Sequence, residues 1–237
     1  EKELQEVNRQ LGQVKGELTK FGVRPPVNAH SNVEQFEAIE ARFVRFIVDQ
    51  TNNREPCLDE LEIFAIAEKG EQAKNVALAS GGAKATSSGN YPTEVSHRLA
   101  HINDGQYGNG RSWISSEVGG GWVQIELPQV ATIDRIVWGR DRQRTYNDRL
   151  AIEYHIDVAV EPGKWTTIAS SATRLPFGET ASGVKIINTT PKKVKELLAK
   201  QTRLLERKKA IEATTSQKVY AGTFAKPPMT FRLRRGD

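Results

Sequence analysis

Apolar residues near the start of the chain recur in alternating steps of three and four. They are Leu4, Val7, Leu11, Val14, Leu18 and Phe21. Glu, Lys, Arg and Gln fill the positions between them, so the apolar side chains form a heptad seam on one face of a helix. Gly22 and the pair Pro25-Pro26 are typical of a helix end. The pattern predicts a coiled-coil helix over residues 1–22.

A second apolar stripe follows Thr190-Pro191. Its members are Val194, Leu197, Leu198, Gln201, Leu204, Leu205 and Ile211. This stripe predicts a coiled-coil helix over residues 191–216, followed by an extended tail over 217–237. Because an isolated helix of about 20 residues is marginal in water, we expect the two helices to pair as an antiparallel hairpin from whose end the intervening domain projects. The alternatives are that each helix packs on that domain or pairs with a second copy.

Between the helices the apolar period changes to two. The alternating segments include Phe43–Val48, Trp122–Glu126, Ile133–Trp138 and Tyr154–Val158, and Gly, Pro, Asn and Asp turns separate them. The pattern predicts a mainly β fold, an antiparallel β-sandwich over residues 40–172, with a helix on either side of it in the sequence.

The composition excludes several classes of protein. The 34 basic and 29 acidic residues give a net charge of +5 but are interspersed along the chain, so we expect no nucleic-acid partner. Cys57 is the only cysteine, so the chain lacks a haem-attachment motif and an intrachain disulfide. The sequence has no apolar run of about 18 residues, and we predict no transmembrane segment.

Motifs of the common enzyme classes are also missing from the sequence. It has no nucleophile elbow, no Walker loop and no dinucleotide fingerprint. Asp141 with Asp148, or Glu60 with Glu62, could form an acid–base pair, but carboxylates are too frequent for this to weigh much. We therefore expect a protein that is not an enzyme and has no catalytic residues.

Three motifs follow one another in the middle of the chain: Asn103-Asp104-Gly105, then Ser112-Trp113-Ile114-Ser115, then Gly121 to Leu127. With this order and spacing, the segment from Asn75 to Ala169 resembles a discoidin domain, also called a coagulation factor V/VIII C-type or galactose-binding-like domain. The resemblance implies a jelly-roll β-sandwich that binds carbohydrate, with Trp113 and Trp122 in its core.

The order of the motifs departs from that family. The strand pattern that usually closes the domain, Arg42 to Phe46 and Leu58 to Phe64, here precedes its usual opening at Asn75. The chain therefore resembles a circular permutant, which is tolerated where the termini of a domain lie close together.

A narrower resemblance concerns the segments Trp138 to Arg142 and Tyr146 to Arg149 and the C-terminal tail. They are similar to the central region of large planctomycete-type cytochrome-c surface proteins. This implies a part of a longer chain that is secreted, periplasmic or at the cell surface, with other domains of the parent protein as partners and no haem in this part.

The discoidin resemblance also implies a structural Ca²⁺ site. The matching positions are Asp104 and Glu60, with Asn109 or Ser112 as further donors, and hard oxygen ligands suit this ion. The alternative is that Asp104 caps a turn and that Glu60 is solvated or paired with an arginine.

The ligand-binding loops of the family lie at one end of the sandwich. The matching candidates are His97, His101, Arg140, Arg142, Tyr146 and Arg149. Arginines at positions 140–149 could recognise a carboxylated or sulfated glycan through bidentate contacts, or they could form an internal Arg–Asp network that fixes the loop. We therefore expect a carbohydrate-binding module or, alternatively, a scaffold that docks other domains and has no free ligand. A zinc site at the two histidines has little support without further ligands.

Overall fold

The computed structural model describes residues 2–20, 24–67, 70–92, 95–179 and 192–215. The predicted tail lies outside these residues. Within them the chain is mainly antiparallel β-sheet with two helices, as the apolar pattern predicts. The elements are α1 (Lys2–Lys20), β1 (Asn32–Thr51), β2 (Cys57–Leu58), β3 (Glu60–Ala65), β4 (Lys84–Ser87), β5 (Trp113–Ile114), β6 (Gly121–Gly139), β7 (Ala151–Ala159), β8 (Thr166–Ser170) and α2 (Lys192–Thr215). Neither helix has the length and apolarity that crossing a bilayer requires.

Two long strands organise the main sheet. Its order is β3-β6-β1-β7-β8, β4 also pairs with β6, and all of these pairs are antiparallel. The β1–β6 register shifts between Gln35 and Ile39 and again between Ala41 and Phe43, and such irregularities bend a strand. The first part of β1 pairs with the second part of β6, next to β3, whereas the remainder of β1 lies between β6 and β7. Both long strands therefore run through two parts of the sheet.

One apolar core lies between these parts, an arrangement consistent with a β-sandwich. In β1 the side chains of Val44, Phe46 and Val48 are buried in it, and their neighbours in the sequence are partly exposed, as the two-residue period predicts. The core also contains the buried residues of β3 and of both halves of β6.

The four tryptophans divide into two groups. Trp113 and Trp138 are fully buried. The prediction that Trp122 lies in the core is wrong, because its neighbour Val123 takes the inward position on β6 and Trp122 is only partly buried. Trp122 and Trp165 instead both contact the Arg45 guanidinium, whose carbon is 4.6 and 4.3 Å from the two ring centroids.

The two helices pair and also rest on the sheet. Val7 and Val14 of α1 form an apolar cluster with two leucines of α2, and Glu3 near the start of α1 binds Arg207 near the end of α2 at 2.6 Å, so the helices run antiparallel. The α2 helix also contacts β8, and Ala172 packs against the helix cluster. The arrangement differs from the expected hairpin with a domain projecting from its end, because the helices are packed on the domain.

The segments that enter and leave the sheet are bonded to each other. The Arg24 N–H donates to the carbonyl of Thr173 at 2.7 Å, and the Leu175 N–H donates to the carbonyl of Arg24 at 2.9 Å. These bonds join the residues before β1 to those after β8. The packed unit therefore begins at about residue 24, ahead of the expected start at residue 40.

Buried side chains reinforce this junction. Glu34 is fully buried and binds the guanidinium groups of Arg24 and Arg174, the latter at 2.7 Å. The Tyr154 hydroxyl donates to Glu34 at 2.5 Å and the Trp138 indole N–H at 3.2 Å. We call these five residues the Glu34 cluster. Burial opposes ionisation, but the two arginines and the tyrosine lower the pKa of Glu34 to about 2.

Candidate functional site

Three loops meet at one end of the sheet. We call this region the loop end; it consists of residues 52–56, 104–112 and 140–150. The Asn52 side chain donates to the carbonyl of Asn147 at 2.9 Å, and Arg140 donates to the Asn109 side chain at 2.8 Å. Side-chain bonds between loops therefore hold the three segments together.

Asp141 shapes the longest of these loops. Its carboxylate is fully buried and accepts hydrogen bonds from the backbone N–H groups of Gln143, Thr145 and Tyr146 at 2.9–3.0 Å. An aspartate that binds the backbone of the residues after it is a common way to fix a turn. The loop after β6 is thus wrapped around one buried carboxylate.

Arg140 lies inside the loop end. It is only 2% exposed, and it donates to the carbonyl and the carboxylate of Asp148 at 2.8 and 2.7 Å as well as to Asn109. This geometry is that of the internal network, the alternative considered from the sequence. That Arg140 contributes to ligand binding stays a prediction.

The other two candidate arginines are also paired with carboxylates. The Arg142 guanidinium binds Glu62 at 2.5 Å, and that of Arg149 binds Glu55. All four of these side chains are largely buried. Each guanidinium predicted to meet an acidic glycan therefore already has a negative partner within the protein.

Three tyrosine rings are exposed at this end, and each has an arginine over one face. The pairs are Tyr91 with Arg149 (5.8 Å), Tyr107 with Arg142 (4.5 Å) and Tyr146 with Arg140 (5.2 Å), measured from guanidinium carbon to ring centroid. The tyrosines are 37, 40 and 46% exposed in the same order. We call this set the tyrosine–arginine surface. Sequence reasoning found only one of its rings, because the partners are far apart in the chain.

The two candidate histidines are directed into the protein. The His97 ring nitrogen Nδ1 lies 2.8 Å from the Ser112 hydroxyl, and burial, with Arg140 and Arg149 nearby, lowers its pKa. His101 is buried, with Nδ1 3.2 Å from a backbone carbonyl. Across the described residues there is no group of three or more His, Cys, Asp and Glu placed to hold a metal.

Two adjacent carboxylates at the start of β3 face the loop after Asp104. Asp59 and Glu60 are both fully buried. One oxygen of Glu60 accepts from the Gly105 N–H at 3.0 Å, and one oxygen of Asp59 accepts from the Arg142 N–H at 2.6 Å. The other oxygen of each has no hydrogen-bond partner among the described residues. We call Asp59, Glu60 and Asp104 the carboxylate cluster.

Unsatisfied polar atoms concentrate around this cluster. The buried side-chain atoms without a hydrogen-bond partner in the described part of the chain are Asp59 Oδ1, Glu60 Oε2, Arg111 Nε, Arg135 Nε, Arg142 Nε and Arg142 Nη2. Only the Arg135 atom lies elsewhere. Since buried polar groups are nearly always paired, such a concentration indicates a place for water or an ion.

The environment changes the acidity of both carboxyl groups. Burial, with the negative charges of Asp104 and Glu62, raises the pKa of Glu60 to about 8, and the Gly105 hydrogen bond opposes this only in part. Burial likewise raises the pKa of Asp59. At neutral pH Glu60 therefore keeps its proton unless a cation compensates its charge.

The predicted metal ligands are only partly available. Asp104 accepts from the Gln106 N–H at 2.8 Å and is also paired with Arg111. The Asn109 side-chain oxygen is used by Arg140, and the Ser112 hydroxyl donates to the Asn109 carbonyl at 2.8 Å. Of the four predicted ligands, only Glu60 has a free carboxylate oxygen, and sequence reasoning missed Asp59 beside it. These two oxygens fit a hard cation, whereas Asp104 fits one only if it leaves Arg111.

Two hollows lie on the surface away from the loop end. The larger has a volume of about 280 Å³ and is lined by Ile39, Glu40, Val158, Ala159, Val160, Glu161, Lys164 and Thr166. The smaller, about 90 Å³, lies around Lys74 and Pro128. Neither contains a residue predicted to bind a ligand.

Comparison of the chain with protein family models, with curated proteins and with solved structures gave no match. The function must therefore be argued from the geometry of the chain itself.

Proposed function

We propose that this chain is a non-catalytic, carbohydrate-binding module built on a circularly permuted, discoidin-like jelly roll. The observation that supports this most is the tyrosine–arginine surface. It places three exposed aromatic rings at one end of the domain.

The side chains of this surface suit recognition of a sugar. A tyrosine ring offers an apolar face or edge together with a polar hydroxyl, which complements the C–H and O–H groups of a pyranose. The arginine over each ring restricts the ring to one orientation, so binding costs little further conformational entropy. Tyrosine and arginine are also the residue types that dominate binding surfaces.

The charges at this end favour an uncharged sugar. Arg140, Arg142 and Arg149 each bind a carboxylate of the protein. An acidic sugar would have to compete with these pairs, and a neutral sugar would not. The proposal for this surface is accordingly a neutral glycan rather than the carboxylated or sulfated glycan that was one of two alternatives considered from the sequence.

Ca²⁺ would contribute at the carboxylate cluster. We propose that Asp59 and Glu60 hold it, since each has a buried oxygen that accepts no hydrogen bond from the described residues and Ca²⁺ prefers carboxylate oxygens. The Arg142 guanidinium lies 3.9 Å from that oxygen of Asp59 and would move away from the ion. Its positive charge would let both groups ionise in a buried place. The ion would thereby stiffen the loop that contains Tyr107.

A second candidate function is that of a scaffold for other domains of a longer, surface-located protein. The observation that favours it is the Glu34 cluster, which fixes the two segments leading to the helices without any ligand. In this proposal the helices form an antiparallel coiled-coil hairpin that connects the domain to its neighbours, and the loop end docks on one of them.

The test is a glycan-array screen of the purified chain with and without Ca²⁺, followed by calorimetry. We expect neutral glycans to bind and the double variant Tyr107→Ala/Tyr146→Ala to lose at least about tenfold in affinity, near 1.4 kcal/mol. Phe177→Ala is the matched control, because Phe177 is 48% exposed but lies outside the loop end. It should bind like the parent chain.

The two candidate functions give different results. A folded protein that binds nothing on the array contradicts the carbohydrate proposal. If the tyrosine variants then lose their association with neighbouring domains of the longer protein in a pull-down, the scaffold is supported.

A further inference from the structure

Within the residues that the structure describes, net positive charge is concentrated on one helix, α2. Residues 24–179 contain 16 Lys and Arg against 21 Asp and Glu, whereas the 24 residues of α2 contain eight against three. The net charge of +5 for the whole chain conceals this division. A basic helix next to an acidic domain is a local electrostatic feature that long-range steering can use.

Four basic side chains lie along one face of α2. They are Lys193, Lys200, Arg203 and Arg207, and all four are exposed. Positions 193, 200 and 207 are one heptad apart and position 203 lies between the last two, so they share a face of the helix. At 1.5 Å per residue this face extends over about 21 Å. We call the four residues the basic stripe.

The basic stripe faces away from the sheet. Lys209 follows Arg207 by two residues and therefore lies on the opposite side of the helix. It is near enough to His155 on β7 for its charge to oppose protonation of that histidine, although the pKa of His155 is raised overall because Asp49 and Asp157 outweigh the effect of burial. The seam with α1, formed by Leu197 and Leu204, lies beside the stripe. Solvent and large ligands can therefore reach it.

Its charges are only weakly compensated. Lys193 binds Glu196 at 3.0 Å and Arg207 binds Glu3 at 2.6 Å, but all four side chains are more than half exposed. Exposed ion pairs of this kind contribute little and are screened by salt. The two middle residues of the stripe have no ion-pair partner in the described part of the chain. At the loop end, by contrast, each candidate arginine is itself largely buried and is paired with a carboxylate.

We propose that the basic stripe binds a linear acidic polysaccharide. Successive heptad positions are about 10.5 Å apart along the helix, which suits a chain that bears a carboxylate or sulfate on every second sugar. Nucleic acid is a poorer match, because a duplex has one negative charge per about 1.7 Å of its axis. This site is separate from the neutral-sugar surface and does not depend on it.

The test measures binding of fluorescein-labelled hyaluronan, which has a carboxylate on every second sugar, and of chondroitin sulfate by anisotropy, in EDTA, between about 50 and 200 mM salt. We expect both to bind, with affinity that falls as salt rises. The variant Lys193→Gln/Lys200→Gln/Arg203→Gln/Arg207→Gln should weaken binding at least about tenfold and flatten the salt dependence. Unlabelled dextran, which is neutral, should not compete.

The control removes the same charge elsewhere. Lys74→Gln/Lys84→Gln/Arg98→Gln/Lys164→Gln changes four exposed basic residues of the β domain outside the loop end and should leave binding unchanged. An equal loss in this control, equal binding of duplex DNA, or no binding by the parent chain would overturn the proposal.

A variant with a single substitution tests the proposal even if the fourfold variant does not fold. Glu196→Gln removes an acidic side chain from the face of the stripe, and it should raise the affinity for both polysaccharides. Helix content by circular dichroism should be unchanged. An affinity that stays the same or falls would contradict the assignment.

Discussion

Glu34 and Glu60 are both fully buried glutamates, yet their pKa values are displaced in opposite directions. Glu34 receives hydrogen bonds from Arg24 and Arg174 as well as from two aromatic side chains, and its pKa falls to about 2. Glu60 receives one from the Gly105 N–H, and its pKa rises to about 8. Burial opposes ionisation in both, so the partners decide the outcome.

The difference separates structure from function. The carboxylate of Glu34 is satisfied by the protein alone, which suits a residue that holds two segments together. One oxygen of Glu60 accepts no hydrogen bond from any residue that the structure describes, and this leaves a place for a proton or a cation. A buried acid is thus informative about function mainly when the protein leaves it incomplete.

The largest expected effect comes from Glu34→Gln. It leaves two buried guanidinium groups without a counter-charge, and we expect a loss of about 3–5 kcal/mol in the free energy of unfolding, measured by urea denaturation at neutral pH. Glu37→Gln, an exposed change on the same strand, should have almost no effect. A loss as small as that of the control would show that the arginines do not need Glu34.

The pH dependence of this cluster follows from the lowered pKa. Since Glu34 titrates at about 2 in the folded chain and near its ordinary value when unfolded, its stabilisation is fully present above about pH 4.5 and disappears as the pH falls toward 2. Acid titration of the parent chain and of Glu34→Gln should converge in that range.

A smaller effect is expected for Tyr154→Phe. The change removes a hydroxyl that donates to Glu34 at 2.5 Å and accepts from Arg174 at 2.6 Å, but it keeps the ring stacked on Phe46. Hydrogen bonds to charged groups contribute about 1.5–3 kcal/mol, and we expect a loss of that order in the unfolding free energy. Tyr146→Phe at the exposed loop end is the control. If the two variants are equally stable, the buried hydroxyl contributes nothing.

The smallest effect, with the opposite sign, is expected at Glu60. Because its pKa is raised when folded, the parent chain should lose stability as the pH rises from about 4.5 to about 8. Glu60→Gln should raise the unfolding free energy at pH 8 by about 1 kcal/mol. It removes only part of the pH dependence, because the raised pKa of Asp59 contributes to that dependence with the same sign. Thermal melts at pH 5 and pH 8 measure this.

Ca²⁺ sharpens the same comparison. It should raise the melting temperature of the parent chain more at pH 8 than at pH 5, because protons and the ion compete for the same oxygens. Glu60→Gln and Asp59→Asn should reduce the response, whereas Glu34→Gln should keep it. An unchanged response in all three variants would place Ca²⁺ elsewhere.

The sequence was sufficient for much of the architecture. The alternation over Phe43–Val48 correctly indicated a strand with one face on the core. The structure shows that this face is that of Val44, Phe46 and Val48. The prediction that Trp122 lies in the core failed for a local reason. Large aromatic residues occur on either face of a sheet, and only the register of β6 shows which face Trp122 occupies. The packing of α2 on β8 could not be predicted in this way. The apolar stripe of α2 is accounted for by its contact with α1, and nothing in the stripe indicates a second contact with the sheet.

The Glu34 cluster and the candidate site were harder to predict from the sequence. Arg24 and Arg174 meet at Glu34 although they are far apart in the chain, and ordinary spacing rules do not reach that distance. Tyr91 and Tyr107 become notable only once an arginine lies over each ring. Asp59 was overlooked beside Glu60, since its unpaired oxygen results from the fold around it.

The bonded junction between Arg24 and residues 173 and 175 has a mechanical consequence. Tension that reaches the β domain from either side along the chain would pass directly across these backbone bonds, with the buried ionic cluster as reinforcement. The strands between them would stay unloaded until this junction opened. Force applied to the chain on either side would therefore pass across the junction and not through the β domain, and the loops of the domain would keep their shape.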